Sequence, residues 1–116
     1  MTAKQNYLRA IYKLTEEGEK GTTTGELAEE LGVSNASVSE TIKKLEDQKL
    51  ICRAPYKELT LSPMGKEEAE RIKKKYDTLT KFFKDLGLEE PEKEADTVEH
   101  SISMNAVEKI EEEYQG

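Results

Sequence analysis

Asp96, Glu99 and His100 are the residues of this chain whose spacing best suits chemistry, because positions i, i+3 and i+4 share one face of a helix about one turn apart. Two carboxylates and an imidazole are donors for a divalent manganese, iron or zinc ion. Three donors on one face leave coordination positions open, which calls for a further ligand from another segment. The alternative is a solvated acidic face, since acidic helices carry such triplets by chance. Catalysis has less to stand on. Cys52 is the only cysteine and His100 the only histidine, which excludes an internal disulfide and is poor support for a thiol protease.

A second group of residues suits nucleic acid. The stretch TTGELAEELGVSNASVSETIKKLEDQKL, residues 23–50, reads as two short helices joined by a tight turn. Thr23 and Glu26 have capping-box spacing, Leu27, Ala28 and Leu31 form a stripe, and Gly32 ends the first helix. Val33 is expected to pack inward at the turn. Ser34 caps the next helix, and Val38, Ile42 and Leu45 make its buried stripe. The opposite face then shows Ser34, Asn35, Ala36, Ser37, Ser39, Glu40, Lys43 and Lys44. Small side chains near a helix N-terminus admit base edges closely, and lysines further along reach phosphates. A generic helical hairpin with a solvated face is the competing reading.

The flanking elements are those such a reading head needs. Residues 4–17 carry Leu8, Ile11 and Tyr12 on one stripe, with Tyr7 and Leu14 at its border, which predicts an amphipathic first helix. Residues 50–54 and 58–61 alternate around Pro55, Tyr56 and Lys57 as a small hairpin. Behind a helix-turn-helix this is a wing, whose Arg53, Tyr56 and Lys57 are placed for backbone phosphates or the minor groove. Ser62 and Pro63 start a long helix with a stripe of Ile72, Tyr76, Leu79, Phe83 and Leu86, closed by Gly87. The run Lys73, Lys74, Lys75 on it reads as a solvated face. Beyond Leu88, two short helices carry Ala95, Val98 and Ile102, then Val107, Ile110 and Tyr114, with a break near Ser103. Neither can bury its faces alone, so a homodimer held by Val98, Ile102, Val107 and Ile110 is expected.

Charge is distributed unevenly. Residues 1–75 hold 14 Lys and Arg against 13 Asp and Glu, and residues 76–116 hold 4 against 12, within a net charge of -7. The near-neutral first part can present a basic surface to DNA, while the acidic remainder turns away from phosphates or meets a cation. With charged residues at 37%, aromatics at 6% and no Trp, the core must be aliphatic and the surface ionic. No apolar run approaches about 18 residues and no charged-then-apolar leader precedes the first helix, so neither a membrane span nor a signal peptide is expected. A cytoplasmic protein follows.

The chain resembles the metal-dependent repressors related to the diphtheria toxin repressor and the manganese transport regulator. The resemblance rests on NYLRAIYKLTEEGE, TGELAEELGVSNASVSETIKKLEDQKLI, PYKELTLSPMGKEEA and DTVEHSISMNAVEKI, and it covers nearly the whole chain. It implies a winged helix over 1–64, a helical dimerisation and metal-binding region over 65–116, and a divalent manganese or iron ion as co-repressor. It also implies metal ligands at Asp96, Glu99 and His100, with Asn6 at the position of the family's N-terminal Met or Asp ligand. Departures accompany it: Arg9 stands where manganese-type members have an acidic ligand, Tyr76 where members have a His, and Thr80 where iron-type members have a carboxylate. A second metal site is therefore not expected. Nor is the extra C-terminal domain of the longer iron-type repressors.

The sequence thus predicts a mainly α fold with a small β-hairpin, acting on double-stranded DNA as a homodimer with no membrane association and no enzymatic activity. Two alternatives remain open at this point: a metal-independent winged-helix regulator with a degenerate site, and a protein-interaction module built on the acidic helices.

Overall fold

The computed structural model describes residues 2–53 and 58–114. In order it has α1 (Ala3–Leu14), α2 (Thr24–Leu31), α3 (Asn35–Asp47), β1 (Ile51–Arg53), β2 (Leu59–Leu61), α4 (Pro63–Asp85), α5 (Pro91–Val98), a 3-10 turn (Glu99–Ser101) and α6 (Met104–Glu113). This is the mainly helical winged architecture the sequence implies. Two compact units divide the chain, Ala3–Glu70 and the part that begins at Arg71, so the division falls inside α4.

The first unit closes around an aliphatic core. Leu8 and Ile11 of α1, Leu27 of α2, Val38 and Ile42 of α3 and Leu59 of β2 are fully buried. Helix α1 stops at Leu14 rather than running on to residue 17. Thr15 is buried, and its hydroxyl donates to the Ile11 carbonyl at 2.6 Å while accepting from the Gly18 amide at 3.1 Å. That side chain offers the backbone a turn in place of another helical bond. Glu16 and Glu17 then take positive φ.

Helix α2 begins at the expected cap, with Thr23 Oγ1 accepting from the Glu26 amide at 3.1 Å. It ends at Gly32 with φ 66°, and the Val33 amide donates to the Ala28 carbonyl at 3.1 Å. Val33 does not pack inward as the sequence suggested: it is 40% exposed. Its amide closes the helix end, and the left-handed Gly32 directs the chain outward before α3 begins.

The hairpin pairs Ile51 with Leu61 and Arg53 with Leu59, antiparallel, and Thr22 joins it through a bridge to Leu59. Ser62 Oγ accepts from the Gly65 amide at 3.0 Å and donates to the Lys49 carbonyl at 2.7 Å, fixing the start of α4 against the end of α3. Gly65 is required there, because a methyl group in its place would run into the Leu50 carbonyl oxygen.

The second unit is thinner. Its buried apolar residues are Ile72 and Leu79 of α4, Pro91 and Ala95 of α5 and Val107 of α6. Ser103 caps α6 by accepting from the Ala106 amide at 3.1 Å, as the break in the pattern predicted. Leu86, at the end of the α4 stripe, is 60% exposed. The chain turns at Gly87, φ 86°.

Candidate nucleic-acid interface and metal centre

Helix α3 is held by one face. Val38, Ile42 and Leu45 are buried at steps of four and three, so every position between them is forced outward. Asn35, Ala36, Ser39, Glu40, Lys43 and Lys44 are all exposed. Among the described residues no ion pair engages Lys43 or Lys44, which leaves their charge available for phosphates. Ser34 has a structural task in addition: its Oγ accepts from the Ser37 amide at 3.1 Å and meets Ser37 Oγ at 3.0 Å. Both hydroxyls are thereby tied to the helix N-terminus.

Arg53 at the end of β1 donates through Nε to Glu46 Oε1 at 2.9 Å. Such an exposed pair is worth little, so a phosphate could replace the carboxylate. Tyr56 and Lys57, expected at the wing tip, lie outside the described residues.

The metal triplet is arranged differently from the single helix face the spacing suggested. Helix α5 ends at Val98, and Glu99–Ser101 form a 3-10 turn. In a 3-10 turn residues three apart eclipse and the fourth is rotated away, which puts His100 on the exposed side while Glu99 is 1% exposed. Asp96 is half-buried. Among the described residues, no three His, Cys, Asp or Glu side chains converge closely enough to hold an ion. Asn6 belongs to α1 in the other unit and is exposed.

Glu99 is the unusual member of the group. Its Oε2 is buried with no hydrogen-bond partner. Burial pushes its carboxyl above the usual carboxylate range, the Lys75 ammonium opposes that shift, and the Asp96 carboxylate adds to it. A buried anion without a donor is costly unless a cation stands against it. That leaves Glu99 Oε2 open to a cation, with His100 turned away from it.

The sequence reading missed what the lysines of α4 do. Lys73 pairs with Asp77 along the helix at 2.7 Å, as a solvated face would. Lys74 instead reaches Glu111 of α6 at 3.7 Å, and Lys75 donates to the Ile102 carbonyl at 2.9 Å. The signal was present in the spacing, since Lys75 stands three after Ile72 and four before Leu79, on the stripe itself. The expected dimer residues need one correction as well. Val107 is 0% exposed within its own chain, whereas Val98, Ile102 and Ile110 are half-buried. Val107 is core because Ser103 starts α6 in a register that turns it inward.

Comparison with known proteins returns one family over both units. The iron dependent repressor N-terminal DNA binding domain matches residues 1–59, and the iron dependent repressor metal binding and dimerisation domain matches residues 62–115. The HTH-type transcriptional regulator MntR of Geobacillus thermodenitrificans (strain NG80-2) is 30% identical over 109 residues, 91% of this chain and 76% of that protein. The manganese regulator SloR has a similar structure, with TM-score 0.80, 28% identity and coverage of 97% of this chain and 54% of that one. A manganese-dependent transcriptional repressor in complex with manganese gives TM-score 0.78 and 29% identity, covering 95% of this chain and 51% of that one. The chain thus spans about half the length of these solved structures.

Proposed function

This chain belongs to the iron dependent repressor family, and from that premise we propose that it is a DNA-binding transcription regulator, a repressor of metal homeostasis genes, that binds operator DNA as a homodimer with manganese or ferrous iron as co-repressor. The observation that carries the proposal is the outward face of α3. A helix fixed by Val38, Ile42 and Leu45 presents small polar groups at its start and two uncommitted lysines further along. That order suits base edges first and phosphates second. Asn35 and Glu40 are assigned to the bases, Glu40 as an acceptor from a cytosine amino group. Lys43, Lys44 and Arg53 are assigned to the backbone.

Asp96, Glu99 and His100 would hold the ion, which would give the buried Glu99 Oε2 the partner that it lacks. The residues do the rest. His100 would have to turn inward from its exposed position to donate. Drawing these side chains together would order the 3-10 turn and the segment that leads into α6. A firmer second unit favours the dimer, and a dimer presents two reading helices to a two-fold operator. We place the protein in the cytoplasm with its DNA and assign it no catalytic step; no described helix is long and apolar enough to cross a membrane.

Calorimetry with manganese, ferrous iron, cobalt and zinc tests the metal, run on the wild type and on a Glu99→Gln, His100→Ala double variant. Gel shifts against the DNA upstream of its own coding sequence, with and without chelator, test the control. We expect metal heats only from the wild type and a shift that chelator abolishes. Equal heats from both proteins, or a chelator-independent shift, would leave a metal-independent regulator in its place. An absence of any shift would favour a protein-interaction module.

A further inference from the structure

Glu46 stands where two effects oppose a carboxylate. It lies in the last turn of α3, where the negative end of the helix dipole disfavours an anion. It also lies one turn after Lys43, close to the side of α3 that carries the exposed Lys43 and Lys44 and is assigned to phosphates. Against both stands one contact among the described residues: Arg53 Nε donates to Glu46 Oε1 at 2.9 Å.

Strand alternation brings Arg53 to that carboxylate. Ile51 and Arg53 project from one face of the hairpin, and Ile51 is buried in the core, so the Arg53 side chain leaves β1 on the side where α3 lies. Its guanidinium is held by one nitrogen. Among the described residues Nη1 and Nη2 make no hydrogen bond, and the side chain is 36% exposed. A guanidinium is a rigid planar fork of donors, so a bond at Nε fixes the direction in which the two Nη groups point. A phosphate can therefore meet the Nη groups while the carboxylate stays in place. Lys43 stands at the spacing of an ordinary helical ion pair with Glu46, yet the carboxylate engages Arg53 and leaves that lysine to the DNA.

We propose that Glu46 is a positioning residue for DNA binding: it holds the Arg53 guanidinium at the junction of α3 and the wing, so that the Nη groups are already oriented when a backbone phosphate arrives. The proposal rests on α3 and the wing being the DNA-binding surface. Its content is a sign. An anion next to a phosphate-binding surface weakens binding by repulsion, whereas an anion that orders a long cationic side chain removes part of the entropy cost of the contact. The pairing of Glu46 with one nitrogen of Arg53 makes the second effect the larger.

The test uses the full chain, with manganese present, titrated against duplex DNA from upstream of its own coding sequence. Affinity, its salt slope and the thermal midpoint are measured for Glu46→Ala, Glu46→Gln, Arg53→Ala, Arg53→Lys and the Glu46→Ala, Arg53→Ala double variant. We expect Glu46→Ala to bind about threefold more weakly at each half-site and about tenfold more weakly over two, although it removes negative charge. Glu46→Gln keeps an acceptor for Nε and should recover most of that loss. Arg53→Ala should lower the salt slope by about one unit per subunit. Adding Glu46→Ala to it should then weaken binding no further. Arg53→Lys keeps the charge without the fork and should weaken binding at an unchanged slope. Thermal midpoints should stay at the wild-type value, since an exposed pair contributes little to folding; if Glu46→Ala melts lower, the comparison of Arg53→Lys with wild type and of Glu46→Gln with wild type decides. Tighter or equal binding by Glu46→Ala would overturn the proposal and make the carboxylate a competitor or a bystander. An equal loss from Glu46→Ala with and without Arg53 would overturn it too, because Glu46 would then act through something else. A wild type that shifts no DNA would overturn the proposed function and this inference with it.

Discussion

Residues 3–70 and residues 71–114 differ in how completely each buries itself. The first unit has a closed aliphatic core drawn from α1, α2, α3 and the hairpin, and among the described residues its exposed large apolar side chains are Val33 and Met64. The second buries fewer apolar side chains, encloses a Glu99 Oε2 that accepts no hydrogen bond, and leaves Leu86, Leu88 and Tyr114 exposed. Tyr114 packs against Phe82 with tilted rings whose centroids are 5.0 Å apart, and Phe82 against Phe83 at 5.6 Å. A region left short of apolar cover is the one that a second copy and an ion can change, so on the proposed function the second unit is the sensing half.

The sharpest way to break this contrast is to spoil the exposed apolar residues of the second unit. Leu86→Glu with Leu88→Glu should give a folded monomer in sedimentation at micromolar concentration. Without its second half-site, the protein's operator affinity should drop by about a thousandfold or more at fixed salt. Val107→Ala is the control, because Val107 lies inside its own chain. It should cost about 2 kcal/mol of stability and leave a dimer at temperatures where the protein remains folded. A double Glu variant that stays dimeric would show that these leucines are incidental surface.

The two units were also unequally legible. In the first, caps and stripes were stated by the residues themselves: Thr23 before α2, Ser34 before α3, Ser62 and Pro63 before α4, and Val38, Ile42 and Leu45 at helical spacing. Local chemistry decides these features, so sequence is enough. The misreadings there, the end of α1 and the side of the turn taken by Val33, came from a buried Thr15 and a left-handed Gly32 that periodicity does not register. In the second unit the apolar pattern located the helices but not their meaning. Whether Glu99 and His100 share a face depends on α5 tightening into a 3-10 turn one residue after Val98. Whether Lys75 is solvated depends on a carbonyl 27 residues away. Both are tertiary facts, and the ordinary charge pattern of an acidic helix conceals them.

A smaller effect sharpens the claim that the first unit is sealed. The hydroxyl of Tyr12 lies 3.3 Å from Glu17 Oε1 and 3.4 Å from Glu70 Oε1, and burial, followed by those two carboxylates, pushes its pKa up to about 12. Between the unfolded value of about 10 and the folded one, the native chain holds a proton that the unfolded chain releases. The resulting stability is complete below about pH 10 and is lost as pH rises toward 12, by about 1 to 2 kcal/mol once solvent screening of the hydroxyl is allowed for. Chemical denaturation across that range should show the decline in the wild type and a shallower one in Tyr12→Phe. Parallel curves would mean that the phenol is solvated.

The finest distinction lies within the reading head, between side chains that build α3 and side chains that α3 carries. Ser34 is exposed but caps the helix through the Ser37 amide, whereas Lys44 is exposed and engages no carboxylate among the described residues. Ser34→Ala should therefore cost about 1 kcal/mol of folding stability, and any weakening of DNA binding should be partly a loss of helix N-terminus. Lys44→Ala should leave the melting midpoint unchanged and lower the slope of log affinity against log salt by about one unit for each phosphate that is no longer neutralised. Asn35→Ala separates from both, since a base-edge hydrogen bond changes the preferred operator at constant stability and constant salt slope. If Ser34→Ala altered operator preference with no change in stability, the hydroxyl would be reading bases in the complex, and its bond to the Ser37 amide would have to break when DNA arrives.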